Sequence, residues 1–215
     1  MKQLLAFLAA LLLAATALPA PALAEGEGAG DFDYYVLALS WSPNWCALEG
    51  DARDAEQCEE DFGWVVHGLW PQYEDGWPSY CPTSARAPSR SLTGAQADLF
   101  GAGGAAWSQW KKHGVCSGLA AEDYYRLARE AWARVNRPEV LRKLDKPLKL
   151  PAAVIEEAFL QANPNWSADT VTITCRDGHI QEARICFTRA LEPRDCGDDV
   201  VRDCTMDNAL FEPIR

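Results

Sequence analysis

Hydrophobic and polar positions alternate along this chain in two rhythms. Residues 31–40 (Asp-Phe-Asp-Tyr-Tyr-Val-Leu-Ala-Leu-Ser) are dense in aromatic and aliphatic side chains and predict a buried strand. Residues 63–69 (Gly-Trp-Val-Val-His-Gly-Leu) predict a second, which Pro71 should end because proline cannot donate into a ladder. A strict period of two places Val65, His67 and Leu69 on one face, with Trp64 and Val66 on the other. A helical rhythm takes over at residues 123–136, where Tyr124, Leu127, Ala128, Ala131 and Val135 share a stripe. A second helix is expected over 151–162, and the latter half of 92–116 also reads as helical. Residues 170–175 and 180–188 predict a hairpin about Asp177-Gly178. The stretch 73–91 and the tail from Arg194 read as irregular. Helices and strands are mixed rather than alternating, so the expected class is α+β: a mainly antiparallel sheet flanked by helices.

The first residues change the picture of what is mature protein. Met1-Lys2-Gln3, an apolar run from Leu4 to Leu18 and Ala22-Leu23-Ala24 form a signal-peptide pattern over residues 1–24. The remaining 25–215 is expected to be a single domain, secreted or periplasmic, with no membrane span once processed. All eight cysteines follow the signal, which predicts a disulfide framework in an oxidising compartment. No Cys-x-x-Cys occurs, and His113 with Cys116 has no second pair at ligand spacing, so no metal or other cofactor is expected. Eight cysteines allow 105 pairings, which spacing alone does not resolve. The formal charge of −11 argues against tight, nonspecific binding to polyanions, although a few cations in a cleft can still hold phosphates.

The chemistry concentrates at two of the three histidines. His67 lies in Trp64-Val-Val-His-Gly-Leu-Trp-Pro71, and His113 in Trp107-Ser-Gln-Trp-Lys-Lys-His-Gly-Val-Cys116. With a free pKa of about 6.5, imidazole can give or take a proton near neutrality. A phosphodiester cleaved by a neighbouring hydroxyl of its own would need one group of each kind and no metal. On a helix Gln109, Lys112 and His113 share a face, so Lys112 would set a cation against a phosphorane. Gly114 would let that helix end. His179, beside the expected turn, and Lys111 read as structural and solvated; Trp64 and Trp110 read as core.

His-Gly-Leu-Trp-Pro and Trp-x-Lys-His-Gly-x-Cys, in this order behind an export signal, resemble the paired signatures of the ribonuclease T2 family. The resemblance runs from about Phe32 to the last cysteine. It implies an endoribonuclease acting on single-stranded RNA through 2′,3′-cyclic phosphates, leaving DNA intact and working as a monomer. It assigns His113 as general base, His67 as general acid and Trp70 to base stacking, with Tyr73 and Trp77 as further stacking candidates and Gln72 as a base-edge contact. It also implies the pairs Cys46–Cys58, Cys81–Cys116, Cys175–Cys204 and Cys186–Cys196. Two positions depart from the family: glutamate is replaced by Gln109, and the preceding histidine, a phosphate contact, by Ser108. Glutamine can donate to a phosphoryl oxygen but cannot carry a proton. These departures leave open a second reading, an RNA-binding or inhibitory pseudoenzyme with reduced or no cleavage.

Overall fold

The computed structural model describes residues 28–215; the expected signal peptide lies outside them. Six strands make one sheet: β1 (Tyr34–Trp41), β2 (Trp64–Gln72), β3 (Leu148–Leu150), β4 (Val171–Arg176), β5 (His179–Thr188) and β6 (Ala209–Phe211). The order is β2-β1-β5-β6-β3, with β4 also on β5. All pairings are antiparallel except β5 with β6, which meet in parallel at His179 and Leu210. The α-helices are α1 (Ser42–Trp45), α2 (Arg90–Gly94), α3 (Ala97–Phe100), α4 (Gly103–Lys112), α5 (Ala121–Ala133) and α6 (Ala152–Ala162). The α+β expectation holds. No helix among the described residues is long and apolar enough to cross a membrane.

The sheet has two unlike faces because β1 alternates. Tyr35, Leu37, Leu39 and Trp41 enter the main core, where Tyr124 and Ala128 of α5 and Ile155 and Phe159 of α6 meet them. Tyr34 and Val36 point the other way into a small cluster with Cys186, Cys196 and Val200, against which Trp70 packs. The expected hairpin forms, with Asp177 at φ 48° and Gly178 at φ 81°, the left-handed pair that a tight turn between twisted strands requires. The four disulfides connect the pairs implied by the resemblance. The two short strands β3 and β6, the latter in the tail read as irregular, carry too few residues to show a rhythm of their own.

Strand β2 corrects two expectations. It runs through Pro71 to Gln72 rather than ending before the proline. β2 lies at the sheet's edge, where a missing N–H removes nothing from the far side. The strict alternation also fails. Ala38 pairs with Gly68 and the next residue, Leu39, with Val66, so His67 is the extra residue of a β-bulge. The bulge shifts the phase by one position. Leu69 therefore joins Trp64 and Val66 in the main core, while His67 faces out.

Candidate active site

The bulge presents His67 with its side chain 43% exposed, and its Nδ1 is held by Oε1 of Glu182. Glu182 belongs to β5 and is only 1% exposed. Its second oxygen accepts from Arg184, at 2.9 Å from Nε and 2.8 Å from Nη2. Burial alone would push the Glu182 carboxyl up; the hydrogen bond and charge of His67, with Arg184, outweigh it and hold it below the usual glutamate value. With Nδ1 engaged, Nε2 is the His67 nitrogen left for the cleft.

His113 is built differently. Helix α4 ends at Lys112 with His113 as its C-cap, and the imidazole is buried at 5% exposure. Burial first, then the Lys112 ammonium and His67, push it down to about 3. Its Nδ1 is buried without a hydrogen-bond partner among the described residues, so Nε2 is the nitrogen that serves the cleft. The role expected of Gly114 changes here. It opens a 3₁₀ turn rather than a left-handed cap, and a Cβ on it would come within 2.5 Å of Trp110 and 3.1 Å of Tyr124. Glycine is required by close approach. Beyond it, the Cys81–Cys116 disulfide and the Tyr80 N–H to Lys112 carbonyl bond of 2.7 Å tie the 73–91 loop to this helix end.

Trp70 stands between the two imidazoles. Its ring lies 5.2 Å from that of His67, edge-on, and 5.2 Å from that of His113, stacked at 29°. Its Nε1 donates to Oε1 of Gln109 at 2.9 Å. Indole can only donate, so the glutamine must offer its oxygen here and keep its amino group for the cleft. Gly68 makes room: a Cβ there would fall 2.1 Å from Trp70 Nε1 and 2.5 Å from Gln109 Oε1.

His67, Trp70, Gln109 and His113 line one cleft of about 250 Å³ together with Lys112, Gln72 and Arg184. A second hollow of about 660 Å³ opens on the other side of His67 and Gln109, with Ser40, Asn44, Gln57 and Arg176 on its wall. Trp77, more than half exposed, reaches the first cleft. Gln72 is buried there and donates to its neighbour's carbonyl, Pro71 O, at 3.1 Å. Two expected contacts are not brought to either cavity. Ser108 is exposed on α4 away from both walls, and Tyr73 packs against the main core. Lys111 is exposed, and Trp64 and Trp110 are core residues, as their sequence positions suggested. His179 bonds the Asp177 carbonyl within its turn. Cys46, Asp51 and Cys58 lie close together, but both sulfurs are in a disulfide and offer no thiolate to a metal. Sequence reasoning missed Glu182 and Arg184; the signal was a Glu-x-Arg pair inside an expected strand, just before the apolar run Ile185-Cys186-Phe187.

Residues 32–196, which include this whole cleft except Asp199 and Val200 at its rim, match the model of the Ribonuclease T2 family. The chain belongs to the ribonuclease T2 family. A ribonuclease of Aeromonas hydrophila is 46% identical over 105 residues, 49% of this chain and 46% of the relative. A probable ribonuclease of Haemophilus influenzae is 29% identical over 62% of this chain and 55% of its own length. The chain thus spans about half the length of these two relatives. Ribonuclease DdI of Dictyostelium discoideum is 25% identical over 92% of this chain and 93% of its own. Among solved structures, RNase NT in complex with 5′-AMP superposes with a TM-score of 0.63 at 19% identity, covering 85% of this chain and 99% of RNase NT. Trichomaglin, described as an S-like ribonuclease, gives 0.64 at 20% identity, covering 86% and 100%. These two likenesses show the shared T2 fold.

Proposed function

We propose that this T2-family chain is a metal-independent endoribonuclease that cuts single-stranded RNA by transesterification through a 2′,3′-cyclic phosphate. One observation carries the reading: a buried imidazole kept neutral and a carboxylate-held imidazole flank the same indole in a cleft that also holds Lys112. His113, pushed down to about 3, is unprotonated across neutral pH and can accept a proton. It takes the proton of the 2′-hydroxyl as the 2′-oxygen attacks phosphorus. The bond from phosphorus to the 5′-oxygen then breaks, and His67 protonates the departing oxygen from Nε2. Lys112 and the Gln109 amino group stabilise the extra negative charge on the phosphorane. Hydrolysis of the cyclic phosphate reverses the two roles.

The substrate class follows from the same chemistry. DNA lacks the attacking hydroxyl, and Trp70 and Trp77 offer flat faces for unpaired bases. The cavities on the two sides of His67 and Gln109 suit the nucleotides flanking the cut. All groups the reaction needs come from one chain, which fits a monomer. Four disulfides and the export signal fit a secreted or periplasmic enzyme.

The test uses purified protein, a single-stranded RNA oligonucleotide and its counterpart with one 2′-deoxy position, both in excess EDTA. The reading predicts cleavage of the RNA, protection at the deoxy position and no effect of the chelator. Saturable RNA binding without cleavage would instead support the pseudoenzyme that Gln109 and Ser108 leave open.

A further inference from the structure

The register of the sheet brings a charged pair to His67 from two strands away. On the cleft side, β1 contributes Val36, Ala38 and Ser40 in alternation. Ala38 pairs with Gly68 on one side and Arg184 on the other; Ser40 pairs with Val65 and Glu182. The small side chains at Ala38, Ser40 and Gly68 leave a trough across the sheet. Glu182 and Arg184, two apart on one face of β5, reach through it to the bulge at His67 and to Trp70. Longer residues on β1 would block that path.

The geometry points to a part for this pair in catalysis: Glu182 is the positioning residue for His67, and Arg184 is a phosphate-contacting cation that supplies the charge Ser108 does not. This rests on the RNA-cleavage reading and deepens it. A purely structural buried carboxylate would turn both oxygens to fixed partners in the interior. Here one oxygen is spent on an imidazole that is nearly half exposed to the cleft. Whether His67 is neutral or protonated, Nδ1–H donates to Glu182, so Nε2 always faces the substrate. In the neutral imidazole the carboxylate thus selects the tautomer with its lone pair on Nε2, which the hydrolysis step needs.

Arg184 is fixed on two sides. Glu182 accepts from Nε and pairs with Nη2 at 2.8 Å, and the guanidinium lies 5.5 Å from the Trp70 ring centre. Nη1 has no protein acceptor among the described residues. The group lines the same cleft as Lys112, so a phosphate there would meet an ammonium from α4 and a guanidinium from β5. Ser108, by contrast, is exposed outside the cleft.

The experiment compares wild type with Glu182→Gln, Glu182→Leu, Arg184→Met and Arg184→Lys, each checked for a native thermal transition. Arg184→Met should lower kcat/KM on single-stranded RNA about 100-fold, and Arg184→Lys should restore part of it. Glu182→Gln can still accept from Nδ1–H, so it should keep the His67 tautomer in ¹⁵N NMR, whereas Glu182→Leu loses it. Inorganic phosphate should bind Arg184→Met at least tenfold more weakly than wild type, a readout that needs no turnover. Wild-type inactivity would sink the cleavage reading, and phosphate affinity and tautomer would still decide this inference. It is overturned if Arg184→Met matches wild type in phosphate affinity, or if Glu182→Leu leaves the tautomer unchanged.

Discussion

The two imidazoles sit on either side of one indole, yet the fold treats them in opposite ways. His67 rides a bulge on an edge strand, 43% exposed, with a buried carboxylate behind it. His113 closes a helix, is buried beside an ammonium, and its inner nitrogen has no partner among the described residues. One environment sets a carboxylate against the imidazole, and the other buries the imidazole beside a cation and penalises its charged form. The difference teaches that the proposed division between acid and base rests on backbone context, since the side chains themselves are identical.

The sharpest way to break this comparison is to remove each imidazole in turn. His67→Ala and His113→Ala should each lower kcat on RNA by about 10³-fold, within the usual range for a lost general acid or base. The two should part on a nucleoside 3′-(aryl phosphate), whose leaving group needs no proton. His67→Ala recovers most of its activity on that substrate and His113→Ala does not. Equal losses on the activated ester would erase the proposed asymmetry.

A second probe strikes only the His113 side. The Cys81–Cys116 disulfide closes a loop across 35 positions and anchors the helix end that carries Lys112 and His113. Replacing both cysteines by serine should cost about 2–5 kcal/mol in urea denaturation. At a temperature where the variant stays folded, its kcat should fall more than its KM rises, because Lys112 and His113 move while Trp70 stays on β2.

Gln109→Glu gives a smaller and more diagnostic change. It keeps an acceptor for Trp70 and adds a negative charge near His113, opposing the burial and Lys112 charge that push this imidazole down to about 3. A stronger base should raise kcat a few-fold and carry the acid limb of the pH profile to higher pH. An unmoved limb would mean that His113 is not the group titrating there.

The last probe reads stability instead of rate. His113 binds its proton at about 3 when folded and about 6.5 when unfolded, so between those values the unfolded chain holds more protons. Stability is therefore present above the unfolded value and drains as pH falls toward the folded one, by at most about 1.4 kcal/mol per pH unit. His113→Leu should flatten this slope between pH 6 and 4 in urea titrations. Glu182, held below its ordinary value, adds a loss of the same sign at lower pH.

Much of this site could be read before the fold was known, for physical reasons that also mark the limit. His67, Trp70, Lys112 and His113 stand in short, dense motifs, and the hairpin at Asp177-Gly178 follows from a local backbone demand. The helix stripe at Tyr124, Ala128 and Ala131 follows from period alone. What escaped the reading depends on register between distant strands. The bulge at His67 is visible only when Ala38 and Leu39 are paired with β2, and it moved Leu69 to the opposite face. Glu182 lies 115 positions from His67, and nothing local joins them. Ser108 shows the converse: helical spacing near Gln109 does not bring it to the cleft, because the exposed side of α4 claims it.

The most direct measurement is the chemistry of the product ends. A single-stranded RNA incubated with the protein in EDTA should yield 2′,3′-cyclic phosphates and free 5′-hydroxyls, with the same ends formed about 10³-fold more slowly by His113→Ala. Ends carrying 5′-phosphates, or undiminished cleavage by His113→Ala, would contradict the account.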